Sequence, residues 1–180
     1  MKRLILSFMM IGLLLIPNSM ASSVYASYYE PIEKREVVAR DERQLECLSD
    51  NIYHESKGEP NLGKVAVAFV TINRTKDQSF PEDICQVVKQ KEERKCQFSW
   101  YCDRKLKKKS QQKMTNKMED INYLKSRLVA EMVFAGHSTL KDPTNGALYF
   151  HANYVKVKVK GKKIKAKIGK HIFYDIRKRV

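Results

Sequence analysis

Between Leu62 and Arg74 the apolar residues are too many for one helical stripe. Val65, Phe69 and Ile72 recur at helical spacing along one line, while Val67, Val70 and two alanines widen it around the cylinder. A helix apolar over so much of its surface is stable only when protein surrounds it, so this segment predicts a central, mostly buried helix around which the rest is arranged. Other helices are expected on the same grounds. Leu45, Leu48 and Ile52 predict one that opens at Asp41 and is stopped by Gly58 and Pro60. Ile84, Val87 and Val88 fit a short helix over 82–90. Ile121, Leu124, Leu128, Met132 and Ala135 mark a strong helix over 118–135 that ends at Gly136.

The chain opens with Lys2 and Arg3, a largely apolar run from Leu4 to Ile16, and small residues near Ala21 and Ala26, which is the layout of a secretory signal peptide over 1–26. Residues 27–40 are polar and mixed in charge and read as a linker or flexible arm, leaving 41–180 as a single domain. Export changes how Cys47, Cys85, Cys96 and Cys102 are read, because thiols pair in an oxidising compartment. Two disulfides are expected, with all three connectivities open. A zinc site fits poorly, since the cysteines form no short CxxC pair and no histidine stands close by.

With a formal net charge of +15 the chain seeks anions. Export demotes nucleic acid as the partner and favours anionic envelope polymers. The sharpest concentration of charge lies near the C-terminus. With a two-residue turn at Gly161-Lys162, a hairpin would pair Lys160 with Lys163, Lys158 with Lys165 and Lys156 with Lys167, one face apolar and the other lysine. Like charges facing one another destabilise a sheet, so that face is either well solvated or meets a polyanion, with Lys156, Lys158, Lys165 and Lys167 as the contacts.

Glu55 is the candidate for chemistry. It lies at the end of an apolar helix after Tyr53 and His54 and before a glycine turn, where desolvation would raise the pKa of a carboxyl group and let it act as an acid near neutral pH. Glu59, beyond Gly58, reads as a brace for the turn or as a supporting catalytic group. Cys96 to Asp103 is dense in aromatics and bounded by thiols, which suggests a shaped surface. His54-Glu55 lacks the second histidine of an HExxH motif, which argues against a zinc peptidase, and no metal or cofactor is expected.

Several ordered motifs between about Leu45 and Tyr174 resemble the cell wall hydrolase family typified by the spore-cortex-lytic enzyme SleB. They are Tyr53 to Pro60, Gly63 to Arg74, Phe80-Pro81 through Cys85, Cys96 to Asp103, Gly146 to Ala152 and Ile168 to Tyr174. The resemblance implies an α+β fold, with a lysozyme-like helical core of the lytic transglycosylase kind and a small C-terminal β-hairpin region. It also implies cleavage between N-acetylmuramic acid and N-acetylglucosamine of peptidoglycan. The family's catalytic glutamate is the first of Glu-x-x-Gly-Glu, which is Glu55 here. Gln97, Ser99 and Trp100 would line the cleft, Trp100 either stacking on a sugar or filling the core. Tyr149, His151 and Asn153, alternating along a strand, would orient the sugar. No second carboxylate is visibly paired with Glu55 as two-carboxylate glycosidases require, Asp103 being the best candidate for one. The chain departs from its relatives where a Pro and a Trp commonly follow the His-Ala-x-Tyr stretch, running instead into lysines. An amidase cutting the muramoyl–peptide bond and a non-catalytic basic envelope-binding protein are the alternatives. Nothing in the sequence signals an oligomer, and a monomer is expected.

Overall fold

Helix α2 (Asn61–Lys76) is buried along Ala66–Thr71 and at Ile72 and Arg74, as its apolar width predicts. The computed structural model describes residues 32–93, 95–103 and 120–176. The expected signal peptide and the basic stretch 104–117 lie outside the described residues. The chain divides into two compact units, 1–38 and 39–180. Of the first, what is described is the opening of helix α1 (Ile32–Glu55), and everything below concerns the second.

The core is built on both flanks of α2. On one, Ala68, Phe69 and Ile72 pack with Leu48 and Ile52 of α1, Ile84 and Val88 of α3 (Ile84–Lys89), and Val129, Ala130 and Val133 of α5 (Ile121–Gly136). On the other, Ala66 and Val70 meet Ala147 and Phe173, with Phe150, Ala166 and Ile168 against them. Helix α2 therefore separates a helical layer from a sheet. A small β1–β2 ribbon (Lys91–Glu92 and Lys95–Cys96) leads into α4 (Ser99–Cys102). The architecture is α+β, as the family resemblance implied.

Short polar side chains fix the helix starts. Asp83 accepts from the Gln86 amide at 2.9 Å and Asp120 from that of Asn122 at 2.8 Å, satisfying N–H groups that a helix leaves without partners. The disulfides settle the connectivity left open above. Cys47–Cys85 staples α1 to α3, and Cys96–Cys102 closes the loop around α4.

Three expectations are corrected. Helix α1 begins at Ile32, ahead of the start expected at Asp41. Helix α5 turns a different face inward. Tyr123, Ser126, Val129, Ala130 and Val133 are buried, while Ile121, Leu128 and Met132 of the expected stripe are 59%, 65% and 46% exposed. Small residues win because they let α5 approach α2 closely, a gain that a count of large apolar side chains misses.

The third correction is the hairpin. Strand β4 (Lys162–Ile168) pairs with β5 (His171–Ile176) across a turn at Gly169-Lys170, where Gly169 takes φ +57°. Strand β3 (Tyr149–Ala152) flanks β5 on its other side, giving the order β3-β5-β4. This register sets Lys162 opposite Ile176, Lys163 opposite Asp175 and Lys167 opposite Ile172, with a bulge between Ile164 and Ala166. It avoids lysines facing lysines and places Phe173 in the core, two advantages the Gly161-Lys162 turn lacks.

Candidate functional site

Glu55 is the last residue of α1, and the chain turns away directly after it. The Ser56 amide donates to Ile52 O and the Glu59 amide to Ser56 O, while Gly58 at φ +81° makes the turn that a side chain would resist. The Glu55 side chain is half-buried. Burial pushes its carboxyl up to about 7, opposed by the positive charge of Arg74.

Arg74 was noted in the sequence only as part of a motif. It is 4% exposed, donates from Nε to Leu148 O at 2.8 Å, and lies 5.0 Å over each of the Phe80 and Phe98 rings and 5.7 Å over that of Tyr149. Its Nη1 is buried without a hydrogen-bond partner among the described residues. Burial lowers its pKa to about 10, against the charges of Tyr149, Glu55, Tyr174 and Glu92. A buried Arg among aromatics has a readable sequence signal in hindsight, namely one cation at the end of an otherwise apolar helix. Glu92, exposed on β1, is a carboxylate the sequence did not single out.

Trp100 is tied to α1. Its Nε1–H donates to Asn51 Oδ1 at 3.0 Å, Asn51 Nδ2 donates to Thr71 Oγ1 at 3.0 Å, and the indole stacks on His54 at 4.3 Å. The indole also packs on the helical core while remaining half-buried, so it serves packing and keeps some surface. Tyr53, beside His54, donates from its hydroxyl to Asp120 at 2.7 Å, joining the end of α1 to the start of α5. That bond and burial hold the Tyr53 proton, pushing its pKa to about 12.

Glu59 is buried and acts as a brace. Its Oε2 accepts from the Lys170 amide at 2.9 Å and lies 3.9 Å from His171 Nδ1. Lys64 Nζ donates to Ser56 O at 2.8 Å. The turn that follows Glu55 is thereby held to the β4–β5 turn. Burial pushes the His171 pKa down, with Glu59 opposing, so its ring is neutral at pH 7.

The remaining expected residues divide. Tyr149 stacks on Tyr174 at 5.6 Å, lies near Phe80 and reaches the Arg74 charge. His151 shares its sheet face with Tyr149, but both ring nitrogens are engaged. Nδ1 lies 2.8 Å from Ala152 O and Nε2 2.5 Å from Lys162 Nζ. A carbonyl requires Nδ1 to carry the proton, and the ammonium then donates to Nε2. Asn153 lies beyond the end of β3, exposed, so the strand alternation extends only to His151. Gln97 is half-buried and donates to Glu92 Oε1 at 3.3 Å. Ser99 and Asp103 are exposed at the two ends of α4. Among the described residues no three His, Cys, Asp or Glu side chains converge to hold a metal ion.

A family model for Cell Wall Hydrolase matches residues 58–174. The chain belongs to the cell wall hydrolase family. The match begins at Gly58, three residues past Glu55, so Glu55 itself lies outside it. Among solved structures, the catalytic domain of the Bacillus cereus SleB protein shares 26% identity at a TM-score of 0.51, covering 74% of this chain and 91% of that one. The catalytic domain of the germination-specific lytic transglycosylase SleB from Bacillus anthracis matches equally, at 26% and 0.51, over 73% of this chain and 93% of that one. A curated spore cortex-lytic enzyme of Bacillus cereus is 40% identical over 47 residues, 26% of this chain and 18% of that protein. Another, of Halalkalibacterium halodurans, is 34% identical over 47 residues, 26% of this chain and 14% of that protein. The chain thus aligns with under a fifth of the length of those curated relatives, and with nearly all of the solved catalytic domains.

Proposed function

We propose that this cell wall hydrolase cuts the glycan strands of peptidoglycan between N-acetylmuramic acid and N-acetylglucosamine, acting as a lytic transglycosylase with Glu55 as its acid and base. The observation that carries the reading is a half-buried carboxyl titrating near 7 at the end of α1. In its protonated form Glu55 gives its proton to the bridging oxygen as the C1–O bond breaks. The resulting carboxylate then takes the proton of the sugar's own C6 hydroxyl as that oxygen bonds to C1, closing a 1,6-anhydro ring. A group that titrates near neutrality suits both steps, since it holds its proton until the oxygen needs it and can take one back. Arg74 favours the first step, because a positive charge nearby stabilises the carboxylate that proton donation leaves behind.

Export, action as a monomer, and contact between the lysine-rich segment and anionic envelope polymers belong to the same reading. The two disulfides support export, since such bonds persist in oxidising compartments. A hydrolytic muramidase, with water in place of the C6 hydroxyl, would use the same Glu55. The test is digestion of purified peptidoglycan by the wild-type chain and by Glu55→Gln in parallel, with mass spectrometry of the fragments. Anhydro-ended muropeptides from wild type and none from the variant are expected. Reducing ends point to the muramidase, free stem peptides to an amidase, and undiminished release by Glu55→Gln rejects the assignment.

A further inference from the structure

Strands β3 and β4 both run antiparallel to β5 and flank it on opposite sides, so they are parallel to each other. The connection between them, 153–161, must return along the length of the sheet before β4 can start. Along this strap Lys156, Lys158 and Lys160 are exposed while Val157 and Val159 are half-buried. That alternation is the signature of an extended chain lying with one side against protein, and it sets successive lysines about 7 Å apart on the solvent side. Lys163 and Lys167 of β4 add two more exposed ammonium groups.

The charge is not neutralised locally. From Ala147 to Tyr174 the sequence contains no Asp or Glu. Lys165 is held by Asp175 at 3.2 Å and donates to Asn145 O at 3.3 Å, and Lys162 is spent on His151. The other five, Lys156, Lys158, Lys160, Lys163 and Lys167, form no ion pair among the described residues. Protection of an edge strand against pairing with another chain accounts for lysines on β4. It does not account for the strap, whose lysines lie outside any strand. The segment also lacks arginine, the residue suited to fixed bidentate contacts, and carries instead point charges indifferent to the orientation of the anion.

We propose that the strap and the outer lysines of β4 form a binding surface for a linear phosphodiester polyanion, a polymer with one negative charge on each repeat. An extended row of evenly spaced ammonium groups meets such a chain unit by unit, without demanding a register. A bilayer fits less well: Tyr154, Val155 and Ile164 are exposed beside these lysines, but Val157 and Val159, which alternate with Lys156, Lys158 and Lys160, are half-buried, so the lysine row itself offers no apolar anchor. The inference rests on the envelope-polymer contact proposed above and narrows it to one chemical class, and because binding does not use Glu55, its test is separate from that of cleavage.

The experiment uses the full chain carrying Glu55→Gln, titrated with poly(glycerol phosphate), with polyglutamate and with phosphatidylglycerol vesicles at several salt concentrations. Lys156→Gln, Lys158→Gln and Lys160→Gln together should weaken poly(glycerol phosphate) binding about tenfold or more at low salt, and flatten the log–log salt dependence by roughly 2. A control triple of exposed lysines elsewhere, Lys76→Gln, Lys89→Gln and Lys141→Gln, makes the same change in net charge and should have little effect. Thermal unfolding confirms that each variant is folded. Equal losses in both triples, no loss in the strap triple, or tighter binding to vesicles or polyglutamate than to the phosphodiester overturns the proposal.

Discussion

The Glu59 carboxylate occupies the space a side chain at position 169 would need: a Cβ placed on Gly169 would come within 1.9 Å of Glu59 Oε2. Gly169 also sits at φ +57°, where residues with a side chain are strained. Gly169→Ala is therefore expected to destabilise the domain by about 2 kcal/mol or more, read by denaturant unfolding. The two causes separate in a double-mutant cycle. In a Glu59→Ala background the steric part disappears, and Gly169→Ala should cost only about 1 kcal/mol. Equal costs in both backgrounds would show that Glu59 yields freely and braces nothing.

Glu55 makes stability depend on pH in a direction opposite to an ordinary ion-paired carboxylate. Its folded value of about 7 lies above the ordinary 4.5, so between those pH values the folded chain binds more protons than the unfolded chain. Stability from this group therefore falls as pH rises through that window. Glu55→Gln cannot ionise and should lose this component, becoming more stable than wild type at pH 8 by about 1–3 kcal/mol, with little difference at pH 4. Chemical denaturation at the two pH values checks it, and wall lysis by the wild-type chain should decline above pH about 7 as the acid form is lost.

The two disulfides close loops of unequal length, with sequence separations of 38 and 6. Closing the longer loop removes more freedom from the unfolded chain, so Cys47→Ser with Cys85→Ser should lower stability by about 3–4 kcal/mol. The Cys96→Ser, Cys102→Ser pair should cost less, while loosening α4 and with it Trp100. Denaturation midpoints of the two variants, measured side by side, test the order.

The helical layer was legible because its signal is local. The apolar width of α2 and the glycine stop after Glu55 both act within a few turns of chain. The sheet was less legible, because Gly161-Lys162 and Gly169-Lys170 are equally good turns in isolation. The choice depends on whether Phe173 reaches the core and what stands opposite each lysine, facts of tertiary contact. The inward face of α5 escaped for a related reason, since Ala130 and Ser126 matter through how closely α2 can approach. At the candidate site, Glu55 was singled out through its motif and surroundings. The engagement of both His151 nitrogens depends on Lys162 from a strand not placed correctly in the sequence reading.

Arg74 offers the last test, because its charge and its packing can be varied separately. Its guanidinium favours the ionised form of Glu55, so removing the charge should raise the Glu55 pKa further and move the alkaline limb of the pH–activity profile upward. Arg74→Gln makes that change but also leaves Leu148 O and three aromatic rings with a smaller partner, costing about 2–4 kcal/mol of stability. Arg74→Lys keeps a positive charge while losing the planar fork that sits among the rings, so it should share most of the stability loss but little of the pH shift. A limb that moves in Arg74→Gln and stays near wild type in Arg74→Lys identifies an electrostatic role for Arg74. The same limb in all three chains would leave it a packing residue alone.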